Sequence, residues 1–90
     1  MRAKATVEII NERGLHARAS AKFVKLAGAF HSRVQVTRED QTVDALSIMG
    51  LMMLAAGPGS TIEIVADGVD AQAAVAALSR LVQNRFEEER

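Results

Sequence analysis

The sequence predicts an α/β fold of the α+β kind: a two-layer, open-faced sandwich with one antiparallel sheet and its helices on a single face. Three observations lead there. Stretches of alternating apolar and polar residues occur near the N-terminus, in the middle and at 60–67. Stretches with apolar residues at helical spacing separate them and close the chain. The connections are short, and strands joined by hairpins and crossovers in 90 residues leave room for one sheet with helices on one side. The other face of the sheet is expected to be open to water.

The elements follow in the order βαββαβα. From Lys4 to Ile10, Ala5, Val7 and Ile9 alternate with Thr6 and Glu8, as in a half-buried strand. Residues 16–28 read as a helix in which Ala19, Phe23, Leu26 and Phe30 form the inner stripe and Gly28 offers a stop. The segment SRVQVTR alternates again, EDQ turns, and TVDA returns, giving a hairpin over about 33–44. Ser47 opens a short helix, SIMGLMML, which ends before the Gly-Pro-Gly of 57–59. STIEIVAD is the fourth strand. Asp70 can cap a last helix over 71–85, with Val75, Leu78, Val82 and, further on, Phe86 as candidate inward positions. The tail EEER reads as charged and frayed. The whole chain, 1–90, reads as one domain.

Composition narrows the function classes. Eleven basic residues balance eleven acidic ones, so no basic excess exists to meet a nucleic-acid backbone. The absence of cysteine rules out disulfides and thiolate metal sites and suits a reducing cytosol. The N-terminus MRAKATVEII runs into a strand pattern rather than a signal-peptide core. The longest apolar run, 45–56, is interrupted by Ser47 and Gly50 and is too short to span a bilayer. A cytoplasmic domain is expected, with no cofactor and no metal, since two histidines alone make no metal site. The Gly-Pro-Gly lacks the lysine and following helix of a phosphate loop.

The stretch NERGLHARAS places His16 where a helix should begin. Helices prefer Ser, Thr, Asp or Asn there, because a short side-chain oxygen accepts from the exposed N–H groups. Gly14 permits the turn that brings strand round into helix. A helix N-terminus attracts anions, and Arg18 carries a guanidinium suited to phosphate oxygens. Both features disfavour an imidazolium at His16, which leaves a neutral and nucleophilic ring. A phosphoryl group on that ring would meet the same N–H groups and Arg18, the combination covalent catalysis by histidine needs. The bland alternative is an exposed histidine near a turn.

Two more features bear on partners. Arg18, Lys22 and Lys25 fall on one face of the first helix, either a solvated face or a docking surface for an acidic partner. In the second helix, at about 100° per residue, Ile48, Leu51, Leu54 and Ala55 form one arc and Met49, Met52 and Met53 another. The first arc suffices for a small core, so the methionine arc reads as a contact surface. Ser47 is a good cap, and a phosphate there would leave the helix intact while placing negative charge beside the methionines. His31 has no evident partner.

The segments GLHARAS and LSIMGLMML, at their separation and within this element order, resemble the histidine-containing phosphocarrier family, HPr, of the phosphoenolpyruvate-dependent phosphotransferase system. The resemblance covers essentially the whole chain. It implies sheet order 1-4-2-3 with three helices on one side. It implies that enzyme I passes a phosphoryl group from phosphoenolpyruvate to Nδ1 of His16, and that the carrier hands it to an EIIA-type protein. Arg18 and the amide of Ala17 match positions that hold the phosphoryl group. Ala17, Arg18, Ala21, Lys25, Ile48, Met49 and Met52 match the contact surface. Ser47 matches a serine phosphorylated in some members by HPr kinase/phosphorylase. Such a protein is not a self-contained enzyme, and a monomer is expected. Ala19 stands where many members have Pro, and Leu46 where a Lys is common. TVEIINERGLHARASAKF looks more like the nitrogen-related branch, NPr, than the sugar carriers. From another class, the alternative is a regulatory binding module controlled at Ser47.

Overall fold

The computed structural model describes all 90 residues. Four strands and three α-helices alternate as β1 (Arg2–Glu8), α1 (Ala17–Ala27), β2 (Arg33–Arg38), β3 (Gln41–Asp44), α2 (Ile48–Met53), β4 (Thr61–Asp67) and α3 (Ala71–Gln83), followed by a single turn at Arg85–Glu87. The strands make one sheet in the order β1-β4-β2-β3. Every neighbouring pair is antiparallel: Ala5 lies opposite Ile64, Val36 opposite Ile64 on the other side, and Val36 opposite Val43. The expected order and layering therefore hold, and the smallest dimension, 20 Å, is that of two layers.

Alternation explains why the sheet has one covered face. Val7, Val34, Val36, Ile62, Ile64 and Ala66 point into the core, while Arg2, Lys4, Thr6 and Glu8 stay exposed. Val65 is the apolar residue buried on the open face, with Lys4 and Gln35 beside it in register. The helices supply Ala19, Phe23 and Ala27 from α1, Leu51 from α2, and Ala71, Ala74, Val75, Leu78 and Val82 from α3. Small Ala residues at these contacts let the helices sit close to a sheet that carries no large aromatic.

Several boundaries move for physical reasons. β1 begins at Arg2 and stops before Ile9, which is fully buried and pairs with the 59–60 loop through Ile9 N–H to Ser60 O and Gly59 N–H to Ile9 O, both 2.8 Å. Gly28 ends α1 with a right-handed φ of −67°, so the stop is a tightened last turn rather than a left-handed glycine. α2 lasts only six residues, so the long arc drawn through it fails at both ends. Leu51 and Leu54 are buried, but Ile48 is 40 % exposed and joins the methionines, and Ala55 lies beyond the helix at φ 53°. Asp70 stands at the head of α3 yet does not cap it. Its carboxylate accepts instead from His31 N–H (2.8 Å), Ser32 N–H (2.9 Å) and Ser32 Oγ (2.5 Å), clamping the entry of β2 to the entry of α3. Those bonds, the Ser32 hydroxyl first, hold the Asp70 carboxyl below its ordinary value.

The largest correction concerns the C-terminus. α3 ends at Gln83, and the first half of the tail, Glu87 and Glu88, is tied back to the fold, while Glu89 and Arg90 stay exposed. Arg85, Phe86 and Glu87 all take positive φ, at 57°, 54° and 66°, and so fold the chain back on itself. Phe86 is fully buried in the core, and Lys22 Nζ donates to its carbonyl at 2.8 Å.

Candidate functional site

The loop from Asn11 to His16 is shaped by one close approach. Gly14 has φ +64°, and a β-carbon there would lie 2.3 Å from the Ala56 carbonyl oxygen. Only glycine permits both the conformation and the contact. Leu15 N–H then donates to that carbonyl at 3.0 Å, and the buried Leu15 side chain pins the loop to the core. Asn11, fully buried, donates from Nδ2 to Gly14 O at 2.9 Å. His16 is thereby delivered to the N-cap position of α1 with extended backbone (φ −75°, ψ −179°).

At this position the side chain does not cap the helix, and the first turn holds no acidic residue. The first N–H to bond within the helix frame is that of Ser20, to His16 O at 2.9 Å, so the amides of Ala17, Arg18 and Ala19 have no acceptor in the chain. Those three donors, with the positive end of the helix dipole, form a fixed electropositive surface beside the imidazole.

The ring itself is held from the other side. Glu88 Oε2 accepts from His16 Nε2 at 2.5 Å, and Glu88 Oε1 accepts from Asn11 Nδ2 at 3.0 Å. Burial pushes the Glu88 carboxyl up, but the hydrogen bonds from Asn11 and His16 and the charges of His16 and Lys22 outweigh it and hold the group below its ordinary value. An ionised carboxylate can only accept, so Nε2 is the donor of this bond, and in the neutral ring the lone pair is then on Nδ1. Nδ1 has no hydrogen-bond partner in the protein. The His16 side chain remains 22 % exposed, enough for another molecule to reach it.

Arg18 is exposed and makes no ion pair; with Glu12, Arg13, Glu88 and Arg90 it lines a surface cleft of about 340 Å³. The basic stripe on α1 is divided. Arg18 and Lys25 face solvent, whereas Lys22 is committed to the C-terminal turn through Phe86 O and, at 3.6 Å, Glu87. Ala17 and Ala21 are exposed on the same helix. Next to α1 packs α2, where Ile48 (40 %), Met49 (70 %), Met52 (39 %) and Met53 (70 %) stand exposed, with Leu46 just before. Ser47 lies outside the His16 cluster. Its Oγ accepts from Gly50 N–H at 2.9 Å and caps α2.

Two residues of the His16 cluster escape a sequence reading. Asn11 looks like turn composition, and Glu88 sits in a charged run 72 positions from its partner. Neither spacing nor periodicity links them.

Comparison with known proteins bears on the family and the fold. A family model described as the PTS HPr component phosphorylation site matches residues 3–84. The phosphocarrier protein HPr of Cupriavidus necator is 59 % identical over 80 residues, covering 89 % of this chain and 90 % of its own. That of Neisseria meningitidis serogroup A is 52 % identical over 85 residues, covering 94 % and 96 %. The crystal structure of HPr-C-His from Thermoanaerobacter tengcongensis superimposes with a TM-score of 0.93 at 40 % identity, covering 98 % of this chain and 99 % of that one.

Proposed function

Because this chain belongs to the HPr family, whose members are phosphocarriers of the phosphotransferase system and not enzymes, we propose that it accepts a phosphoryl group on Nδ1 of His16 from enzyme I and passes it to an EIIA-type protein. One observation carries the assignment to this atom: Nε2 is occupied by Glu88 while Nδ1 is unpartnered, on a residue at the N-cap of α1, whose first three amides are unbonded. In the accepting step the Nδ1 lone pair forms the bond to phosphorus, and the bond from phosphorus to the donor breaks with its electron pair leaving on the donor. Ala17 N–H and the Arg18 guanidinium meet the phosphoryl oxygens. The site is an open helix end rather than an enclosed pocket. An intermediate held too tightly slows the next transfer, so an open end suits a carrier.

The contact surface in this reading is Ala17, Arg18, Ala21 and Lys25 on α1 with Ile48, Met49 and Met52 on α2. Ser47 is a regulatory position: a phosphate there would sit at the head of α2, next to the exposed methionines, and an HPr kinase/phosphorylase would be its source. The protein acts as a cytoplasmic monomer; no helix is long and apolar enough to cross a membrane. The segment around His16 leans to the nitrogen-related branch, although both relatives described above bear the HPr name.

The experiment combines purified protein, phosphoenolpyruvate, magnesium and enzyme I from either branch, read by intact mass. A single acid-labile phosphate that disappears in His16→Ala is the expected result, and the faster enzyme I identifies the branch. The exposed apolar residues behind Ser47 favour one second reading, a binding module controlled at that serine. That reading gains if no phosphate appears with either enzyme while His16→Ala still binds partners.

A further inference from the structure

The carboxylate that meets His16 is supplied by the far end of the chain. Its delivery depends on a turn in which three successive non-glycine residues hold positive φ. Such backbone persists only where the surroundings over-determine it. Here they do: Phe86 is buried, Lys22 grips its carbonyl, and Glu87 N–H and Glu88 N–H each bond back within the turn at 2.9 Å. Burial of Phe86 alone would anchor the tail without aiming a carboxylate anywhere. Yet both oxygens of Glu88 are used, Oε1 on the buried Asn11 and Oε2 on His16. Asn11 in turn bonds Gly14 O, so the carboxylate, the ring and the glycine turn form one connected unit.

Resting on the phosphocarrier reading, we propose that Glu88 is a positioning residue for phosphoryl transfer at His16. It keeps the proton on Nε2, fixes the ring so that the Nδ1 lone pair is available to phosphorus, and balances the charge the ring acquires. When the lone pair becomes the N–P bond, the electron pair of the broken bond leaves on the donor, Nε2 retains its proton, and the imidazole ring becomes cationic. The carboxylate at 2.5 Å meets that charge. On transfer to the acceptor the N–P electrons return to Nδ1 and the ring is neutral again, its tautomer unchanged. The two ring nitrogens point in divergent directions, so a carboxylate on Nε2 leaves the approach to Nδ1 open. Carboxylates that orient an imidazole through its second nitrogen act in the same way elsewhere: losing one behind a metal-bound histidine typically costs about 10–100-fold, and in a Ser-His-Asp triad about 10⁴-fold.

The test compares the wild type, Glu88→Ala, Glu88→Gln and His16→Ala as phosphoryl acceptors from enzyme I and phosphoenolpyruvate, with turnover followed against carrier concentration. Glu88→Ala should lower kcat about 10–100-fold with KM unchanged, because docking residues are intact. Glu88→Gln, which keeps an acceptor oxygen without the charge, should fall between. A strongly deshielded His16 Nε2–H proton should be visible by NMR in the wild type and absent in Glu88→Ala, while Phe86 resonances stay in place. A merely structural tail would move none of these. If the wild type labels and Glu88→Ala labels as fast or faster, this inference alone fails. If the wild type takes no phosphoryl group at all, the carrier reading fails and this inference with it.

Discussion

Replacing Phe86 by alanine tests whether the C-terminal turn is part of the folded domain. Phe86 has no exposed surface and belongs to the main hydrophobic core. Burying such a side chain contributes about 1.5–3 kcal/mol, and the cavity left by Phe→Ala brings typical losses to about 3–5 kcal/mol. A turn near the chain end can relax more than a mid-helix site, so the lower limit applies. Alanine brings no relief of strain, since it dislikes positive φ as phenylalanine does. The expected loss is therefore about 3 kcal/mol. In a domain of this size that amounts to roughly 12–24 °C in Tm. Urea melts of wild type and Phe86→Ala measure it, and removal of Glu89 and Arg90, both exposed, is the control with no loss expected. A cost for Phe86→Ala below about 1 kcal/mol would mean that the tail is not docked, and would remove the basis for the Glu88–His16 contact.

Three other perturbations separate folding from function. Asp70→Asn should destabilise the protein at neutral pH by weakening the clamp on His31 and Ser32; because the folded carboxyl is held below its ordinary value of 3.8, the wild-type advantage is full above that value and vanishes as pH falls through the lower folded value, which urea midpoints from pH 7 down to about pH 2 would show. Ser47→Ala should cost about 0.5–2 kcal/mol by removing the α2 cap, whereas Ser47→Asp keeps a capping oxygen and should stay within about 0.5 kcal/mol of wild type while weakening binding to enzyme I in calorimetry. Met49→Asp should leave the melt within about 0.5 kcal/mol of wild type, since 70 % of the residue is exposed, and raise the KM for enzyme I about fivefold or more.

Legibility in the sequence followed the range of the interactions. The alternation through Thr6, Val7 and Glu8, and again through Ile62, Glu63 and Ile64, marks strands because each residue's face is set by its immediate neighbours. The Glu39–Asp40 turn joins two such runs and marks the hairpin. The exposed methionines of α2 were legible for a related reason: six residues cannot bury every side of a helix against a single sheet. Ile48 was misplaced by the same wheel, because so short a helix leaves its first residue beyond the edge of the core. What the sequence concealed was long-range and stereochemically unusual. No propensity predicts three consecutive left-handed residues at Arg85, Phe86 and Glu87, so EEER read as a loose end. Asp70 fits the profile of a helix cap, and only the fold brings Ser32 close enough to take its carboxylate instead. Lys22 belongs to a basic stripe by spacing, yet the returning tail removes it from that stripe.

Phosphoryl transfer through His16 is defined by the atom that receives the group. Protein labelled with ¹⁵N-histidine, phosphorylated by enzyme I and examined by long-range ¹H–¹⁵N correlation, should show phosphorus coupling at Nδ1 of His16 with the proton still on Nε2. Coupling at Nε2, coupling at His31, or phosphate on Ser47 with an unaltered His16 would contradict it.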